Sequence, residues 1–77
     1  MVSAFVLINV EDRKVTELLE TLQKVEGVKE VHLVAGEYDM VAVVTADNND
    51  ELSKLLTDKI IHIPGIKRTK TLISLRS

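Results

Sequence analysis

The chain has 77 residues, no cysteine, and twelve acidic against ten basic residues, for a formal net charge of −2. This length holds one small core, and the lack of cysteine excludes a disulfide framework, a thiolate metal site and thiol catalysis. The chain also lacks the basic stripe and stacking aromatics of nucleic-acid binders, since it has one Phe and one Tyr. We therefore expect a cytoplasmic protein that does not bind DNA directly.

The first segment, residues 2–10, is predicted to be a strand that is apolar on both faces, and therefore covered on both sides. The segment is too short to span a bilayer and has no basic residues before it, so no membrane segment is expected. Asp12 is placed as the N-cap of a helix over residues 12–26, and Gly27 as its C-cap residue. Residues 28–35 then form the second strand. The apolar stripe of the helix consists of Val15, Leu18, Leu19, Leu22 and Val25.

A short polar turn, residues 36–39, lies between two β-prone runs. The pattern predicts a β-hairpin in which Gly36 adopts a conformation that other residues avoid. The strand after it, residues 40–46, is again apolar on both faces, which places it beside the first strand in the sheet interior.

The second helix is predicted to begin after Asn48, because Asn48 followed by Glu51 resembles a capping box. Pro64 and Gly65 end it, and residues 66–75 form an edge strand whose charged start protects the edge. The apolar stripe of this helix consists of Leu52, Leu55, Leu56 and Ile60.

An internal repeat joins the two halves of the chain. Gly27 and Gly65 lie 38 positions apart, and the same offset aligns Leu18 with Leu56 and Leu22 with Ile60. Two such halves predict the ferredoxin-like βαββαβ fold, an α+β architecture with one antiparallel sheet in the order 4-1-3-2 and both helices on one face.

Two helices cover one sheet face, so the other face of the central strands would expose an apolar patch. The simplest cover is the same face of a second copy, which predicts a homodimer. The alternation is interpreted as Val6, Ile8, Val41 and Val43 on one face and Phe5, Leu7, Ala42 and Val44 on the other. The predicted dimer contacts are Phe5, Leu7, Val41 and Val43.

Four stretches together carry a family resemblance: residues 4–10, 27–31, 36–39, and 64–66 followed by 68–71. They resemble the effector-binding (RAM) domain of the Lrp/AsnC family of transcriptional regulators, over nearly the whole chain. The resemblance implies tight dimers that join into rings, commonly octamers, with small amino-acid effectors held at the dimer–dimer contact. Full-length members carry an N-terminal helix-turn-helix, so residues 1–77 are interpreted as a single stand-alone RAM domain that could mix with full-length regulators.

The resemblance places effector binding at the Gly-x-x-Asp turn and the start of the last strand. The residues assigned to the ligand are Gly36, Glu37, Tyr38, Asp39, Thr69 and Thr71. The Asp39 carboxylate could bind an α-ammonium group, or it could simply satisfy turn amides. Thr69 and Thr71 share one side of the strand and could equally reflect ordinary β-propensity. Arg68 and Lys70 fall on the other side as edge-protecting charges, although Arg68 could pair with a carboxylate across a subunit contact.

No catalytic, cofactor or metal site is predicted, since His32 and His62 have no ligand partners nearby and no Ser or Thr has an evident base. The sequence thus predicts a sensing module that binds a small amino acid and modulates transcription or amino-acid metabolism. Its effect would pass through self-assembly or partner regulators. The alternatives are a small enzyme on a dimeric ferredoxin-like fold and a ligand-free assembly factor.

Overall fold

A computed structural model describes residues 1–11 and 14–75. Their four strands form one antiparallel sheet in the order β2-β3-β1-β4. The predicted ferredoxin-like fold and its 4-1-3-2 strand order are therefore confirmed. In the described ranges no helix is both long and apolar enough to cross a membrane. The elements are β1 (Val2–Val10), α1 (Val15–Gln23), β2 (Val28–Leu33), β3 (Met40–Ala46), α2 (Asn49–Lys54) with a π-helical continuation (Leu55–Ile60), and β4 (Ile66–Ile73).

The ends of the elements differ from prediction at several points. β3 has the predicted bounds, whereas β2 and β4 each end two residues early, at Leu33 and Ile73. The C-cap of α1 is Lys24, whose amide bonds the carbonyl of Thr21 and so tightens the last turn. Gly27 is therefore not the C-cap residue; it lies in the turn that enters β2, with a φ of +99°. The predicted N-cap, Asp12, lies outside the described residues.

The second helix begins as predicted, because the Asn48 side chain accepts a hydrogen bond of 2.9 Å from the Glu51 amide. It then widens into a π-turn, in which the amide of Ile61 bonds the carbonyl of Leu56 five residues back, at 3.1 Å. The wider turn buries Leu55 and Ile60, while Leu56 is only half-buried. Leu56, the repeat counterpart of the buried Leu18, is thus less buried than its neighbour Leu55.

One face of the sheet packs against both helices. The register sets Val6 opposite Ala42 and Ile8 opposite Met40, so the even-numbered residues of the two central strands share this face. Helix side chains complete the core at 0% to 7% exposure, as expected for apolar residues at helical spacing. The buried core consists of Ala4, Val6, Ile8, Leu18, Leu22, Met40, Ala42, Val44, Leu52, Leu55 and Ile60.

The opposite face of the sheet carries no helix, and we call it the open face. The register sets Phe5 opposite Val43 and Leu7 opposite Val41, so the four predicted dimer contacts do share one face. The interpretation that grouped Val6 and Ile8 with Val41 and Val43 is wrong, because even-numbered residues of β1 lie opposite even-numbered residues of β3. The open face leaves Phe5 42% exposed.

Candidate ligand-binding site

The β2–β3 hairpin turn is closed by backbone hydrogen bonds and attached to the end of β1. Within the hairpin the Val34 amide donates to the Asp39 carbonyl at 3.0 Å, and the Asp39 amide donates to the Ile8 carbonyl at 2.9 Å. Gly36 has a φ of +133°, which a residue with a side chain rarely adopts. The prediction that Gly36 supplies an unusual backbone conformation to this hairpin is thus confirmed.

Two side-chain bonds clamp the turn onto β1. The Asp39 carboxylate accepts the backbone amide of Val10 through Oδ2 at 2.8 Å, and the Asn9 side-chain amide donates to the Glu37 carbonyl at 2.8 Å. Asp39 thus does not satisfy amides of its own turn; it caps the end of a strand 29 residues earlier. Within the described residues its second oxygen, Oδ1, has no hydrogen-bond partner.

A cleft of about 270 Å³ opens between this clamped turn and the start of β4. A β-bulge shapes its second wall: Asn9 pairs with Arg68 while Val10 pairs with Ile66, which leaves Lys67 as the extra residue. The bulge lets two consecutive basic residues line the same cleft. The lining residues are Asn9, Val10, Glu37, Tyr38, Asp39, Lys67 and Arg68.

The cleft combines opposite charges that do not pair with one another. Glu37 and Asp39 supply two carboxylates, and Lys67 and Arg68 supply two cations. Across residues 1–11 and 14–75, the contact at ion-pair distance is the hydrogen bond between His32 and Glu30 on β2, at 3.0 Å. The charged groups of the cleft therefore remain available to a ligand that carries both signs.

The structure brings together half of the predicted ligand residues. Glu37, Tyr38 and Asp39 line the cleft, and Gly36 shapes the turn without lining it. Thr69 and Thr71 share one side of β4, as expected, but that side faces the helices, opposite Ile8 and Val6. They do not line the cleft of their own subunit.

Sequence reasoning missed four residues of the cleft, Asn9, Val10, Lys67 and Arg68. Arg68 was assigned mainly to edge protection, yet it lines the cleft together with Lys67 and Asn9. The available signal was Asn9, a polar side chain that ends an otherwise apolar strand. The alternation of apolar and polar residues in the sequence does not indicate the bulge at Lys67.

A second cleft of the described residues also carries both signs of charge, but it is net acidic, with the lining carboxylates Glu26, Asp47, Glu51 and Asp58 against Lys54 and Lys59. Among the residues that the structure describes, no group of three His, Asp or Glu side chains is placed to hold a metal ion. The second cleft, of about 460 Å³, lies at the opposite end of the sheet, between the Gly27 turn and the second helix, and none of the predicted ligand residues line it.

The geometry is that of a small ferredoxin-like α+β domain whose hairpin turn is clamped beside a cleft that carries both signs of charge. The chain belongs to the Lrp/AsnC family, because its residues 3–77 match the Lrp/AsnC ligand binding domain. An uncharacterised HTH-type transcriptional regulator of Pyrococcus horikoshii is 40% identical over 75 residues, which cover 94% of this chain and 50% of that protein. The HTH-type transcriptional regulator FL11 of Pyrococcus abyssi is 40% identical over 74 residues, covering 96% and 48%.

Solved structures agree with this assignment. A protein of Thermus thermophilus superposes with a TM-score of 0.92 at 38% identity, covering 100% of this chain and 96% of that one. The feast or famine regulatory protein of Mycobacterium tuberculosis, complexed with L-methionine, gives 0.84 at 29% identity, covering 100% and 52%. The predicted family is confirmed, and the chain spans about half the length of the curated relatives it matches.

Proposed function

We propose that this domain senses a small amino acid, bound in the cleft between the hairpin turn and the start of β4. The observation that supports the proposal is the set of four unpaired charges, two of each sign, that line one cleft. An amino-acid zwitterion presents a carboxylate and an ammonium group a few bonds apart. The cleft therefore matches the ligand at both ends.

Different side chains of the cleft bind different parts of the ligand. The planar guanidinium group of Arg68 donates two hydrogen bonds to the α-carboxylate, and Lys67 supplies a second cation. The α-ammonium group lies against Asp39, whose Oδ1 has no partner among the described residues, and against Glu37. The half-buried ring of Tyr38 forms the wall for the ligand side chain.

Size and rigidity support a ligand of this class. The cleft of about 270 Å³ lies just below the range of about 300–1,000 Å³ that drug-sized ligands occupy. The bonds from Asn9 and Val10 hold the turn in place before a ligand arrives, which lowers the ordering cost of binding. The L-methionine complex of the Mycobacterium tuberculosis relative supports the same ligand class.

Assembly is the second part of the proposal. The open face, with Phe5, Leu7, Val41 and Val43 at its centre, pairs with the same face of a second copy. Dimers then associate into a larger ring, an octamer in the family pattern, in which Thr69 and Thr71 contribute to a ligand site near a neighbouring hairpin turn. The bound effector acts through this assembly, or through mixing with full-length Lrp/AsnC regulators, without DNA contact by this domain.

The test compares two substitutions of Asp39. Asp39→Asn keeps an oxygen for the Val10 amide but removes the charge, so we expect stability to change by less than about 1 kcal/mol while the ligand response is lost. Asp39→Ala removes both and costs about 1–3 kcal/mol of stability. Thermal-shift and calorimetric screening against the twenty amino acids at millimolar concentration measures both effects.

Arg68→Ala should abolish the response in the same screen, and Lys24→Ala, an exposed cation outside the cleft, serves as the matched control. If Asp39→Asn still binds an amino acid, the Asp39 charge is not needed for the ligand, and the residue serves only to accept the Val10 amide at the end of β1. If no amino acid binds and turnover emerges in a broad activity panel, the chain is an enzyme. If neither is seen, the assembly-factor alternative holds.

A further inference from the structure

β4 is an edge strand, and one row of its backbone groups points away from the sheet. It lies at the end of the strand order, and the helices pack mainly over β1, β2 and β3. The Ser74 amide donates to the Ser3 carbonyl at 2.9 Å, so these two residues form a hydrogen-bonded pair. Because such pairs alternate along an antiparallel ladder, Thr69, Thr71 and Ile73 direct their amides and carbonyls away from β1. Among the described residues, no strand lies beside this row.

The side chains of β4 divide it into a basic half and an apolar half. Lys67, Arg68 and Lys70 lie in the first half, and the strand has no carboxylate. Leu72 and Ile73, at its end, are 46% and 47% exposed. Protection of an edge requires charge, but it does not require an exposed apolar end. The strand therefore presents a pattern that an added strand can match pair by pair.

A second copy of the chain does not supply the matching strand. Two β4 strands paired antiparallel about Thr69 would set Arg68 opposite Lys70, and like charges directly opposite destabilise a strand pair. β2, the other edge of the sheet, offers one carboxylate, Glu30, next to Lys29. Neither edge strand of the described residues can therefore neutralise the cations of β4.

We propose that β4 binds an extended acidic segment of another protein, which joins the sheet antiparallel as a fifth strand. Main-chain hydrogen bonds to Thr69 and Thr71 supply affinity, as in other cases of strand addition. Carboxylates of the segment lie opposite Lys70 and Arg68, and the apolar residues that precede them lie opposite the exposed end of β4. Strand addition at the edge leaves both sheet faces unchanged, so the proposal does not depend on the proposed dimer.

The first test is a calorimetric titration with the peptide Ac-Val-Val-Thr-Glu-Thr-Glu-NH2 at low ionic strength. In the antiparallel register its valines lie opposite Ile73 and Leu72, and its glutamates lie opposite Lys70 and Arg68. The control is the peptide of reversed order, which has the same composition and charge. We expect the first peptide to bind at least about fivefold more tightly. Equal or tighter binding of the reversed peptide would overturn the proposal, because charge attraction alone would then explain it.

The second test concerns the backbone of the peptide. N-methylation at its third and fifth residues blocks the amides that point toward Thr71 and Thr69, whereas methylation at its second and fourth residues blocks amides that point away. The first change should weaken binding about tenfold or more, and the second should leave it nearly unchanged. Equal losses would contradict strand addition.

Substitutions in the chain complete the test. Lys70 lies outside the ligand cleft, so Lys70→Glu should weaken peptide binding about three- to tenfold without removing the amino-acid response. Lys29→Glu, the same charge change on the other edge strand, is the matched control. Thr71→Pro removes an amide that points away from β1 and should abolish peptide binding. If this variant does not fold, the methylated peptides decide. If instead it folds and light scattering shows a smaller assembly, a second copy occupies the edge and the proposal is wrong.

Discussion

The first half of the molecule and the second half build the same strand, helix and strand from segments 38 positions apart, but their helices differ. α1 is regular and buries Leu18 and Leu22, four residues apart, whereas the second helix buries Leu55 and Ile60, five residues apart. Gly27 and Gly65 keep the same offset of 38 as Leu22 and Ile60, so the two halves do not differ in length there. The comparison shows that the π-turn changes which residue of the second helix faces the core, Leu55 in place of Leu56.

The helix starts differ as well. Asn48 caps the second helix with its side chain, whereas Lys14 at the start of α1 makes no side-chain capping bond. α1 is therefore stabilised mainly by its apolar face, and the second helix by its cap together with its apolar face.

The largest effects should come from one-residue deletions in the two helices. Deleting Glu20 rotates Leu22 about 100° away from the core, which should cost about 3–5 kcal/mol and leave little folded protein. Deleting Thr57, an exposed residue of the π-turn, sets Leu55 and Ile60 four residues apart, as in α1. We expect this second deletion to change stability by less than about 1 kcal/mol. Urea unfolding followed by circular dichroism measures both, and equal losses would show that the π-turn does not absorb an extra residue.

Gly27 and Gly65, the glycines that precede β2 and β4, provide the next contrast. Both have a φ near +100°, but a Cβ on Gly27 would lie 3.0 Å from Cδ2 of the buried Leu55, whereas a Cβ on Gly65 would lie 3.3 Å from Cβ of the exposed Lys14. Backbone strain alone costs about 1–2 kcal/mol, and overpacking adds about 1–3 kcal/mol where the neighbour cannot move. We therefore expect Gly27→Ala to lose more stability than Gly65→Ala in thermal unfolding. The reverse order would mean that Leu55 repacks freely.

The smallest effect concerns the helix starts. Asn48→Ala removes the bond to the Glu51 amide and should cost about 1 kcal/mol. Lys14→Ala, at the start of α1, removes no capping bond and should change the unfolding midpoint in urea very little. Similar losses at both positions would show that Lys14 supports its helix through contacts other than capping.

The fold was predictable because its main signals are local. Apolar residues on both faces placed β1 and β3 in the sheet interior, and Asn48 with Glu51 marked a helix start. The repeat of Gly27 and Gly65 led to the strand order, because two βαβ-like halves can share one sheet in few ways. The π-turn was not predictable, since Leu52, Leu56 and Ile60 form an equally good α-helical stripe.

The site was predictable only in part, because its parts meet through tertiary contacts. The turn residues Glu37, Tyr38 and Asp39 carried a local pattern, and they do line the cleft. The bond from the Val10 amide to Asp39 joins residues 29 positions apart, and no local pattern indicates it. The bulge at Lys67 is likewise a product of strand pairing, which explains why two cations of the cleft were interpreted as edge protection or passed over.

The π-turn also bears on how relatives should be aligned. A residue gained within Leu55–Ile60 leaves the cap at Asn48 and the turn at Gly65 in their places. The ligand cleft, which depends on β1, the hairpin and the start of β4, is then untouched by the gain. A difference of one residue in length between two members of the family should therefore be placed as a gap inside this helix and not in the loops that flank it.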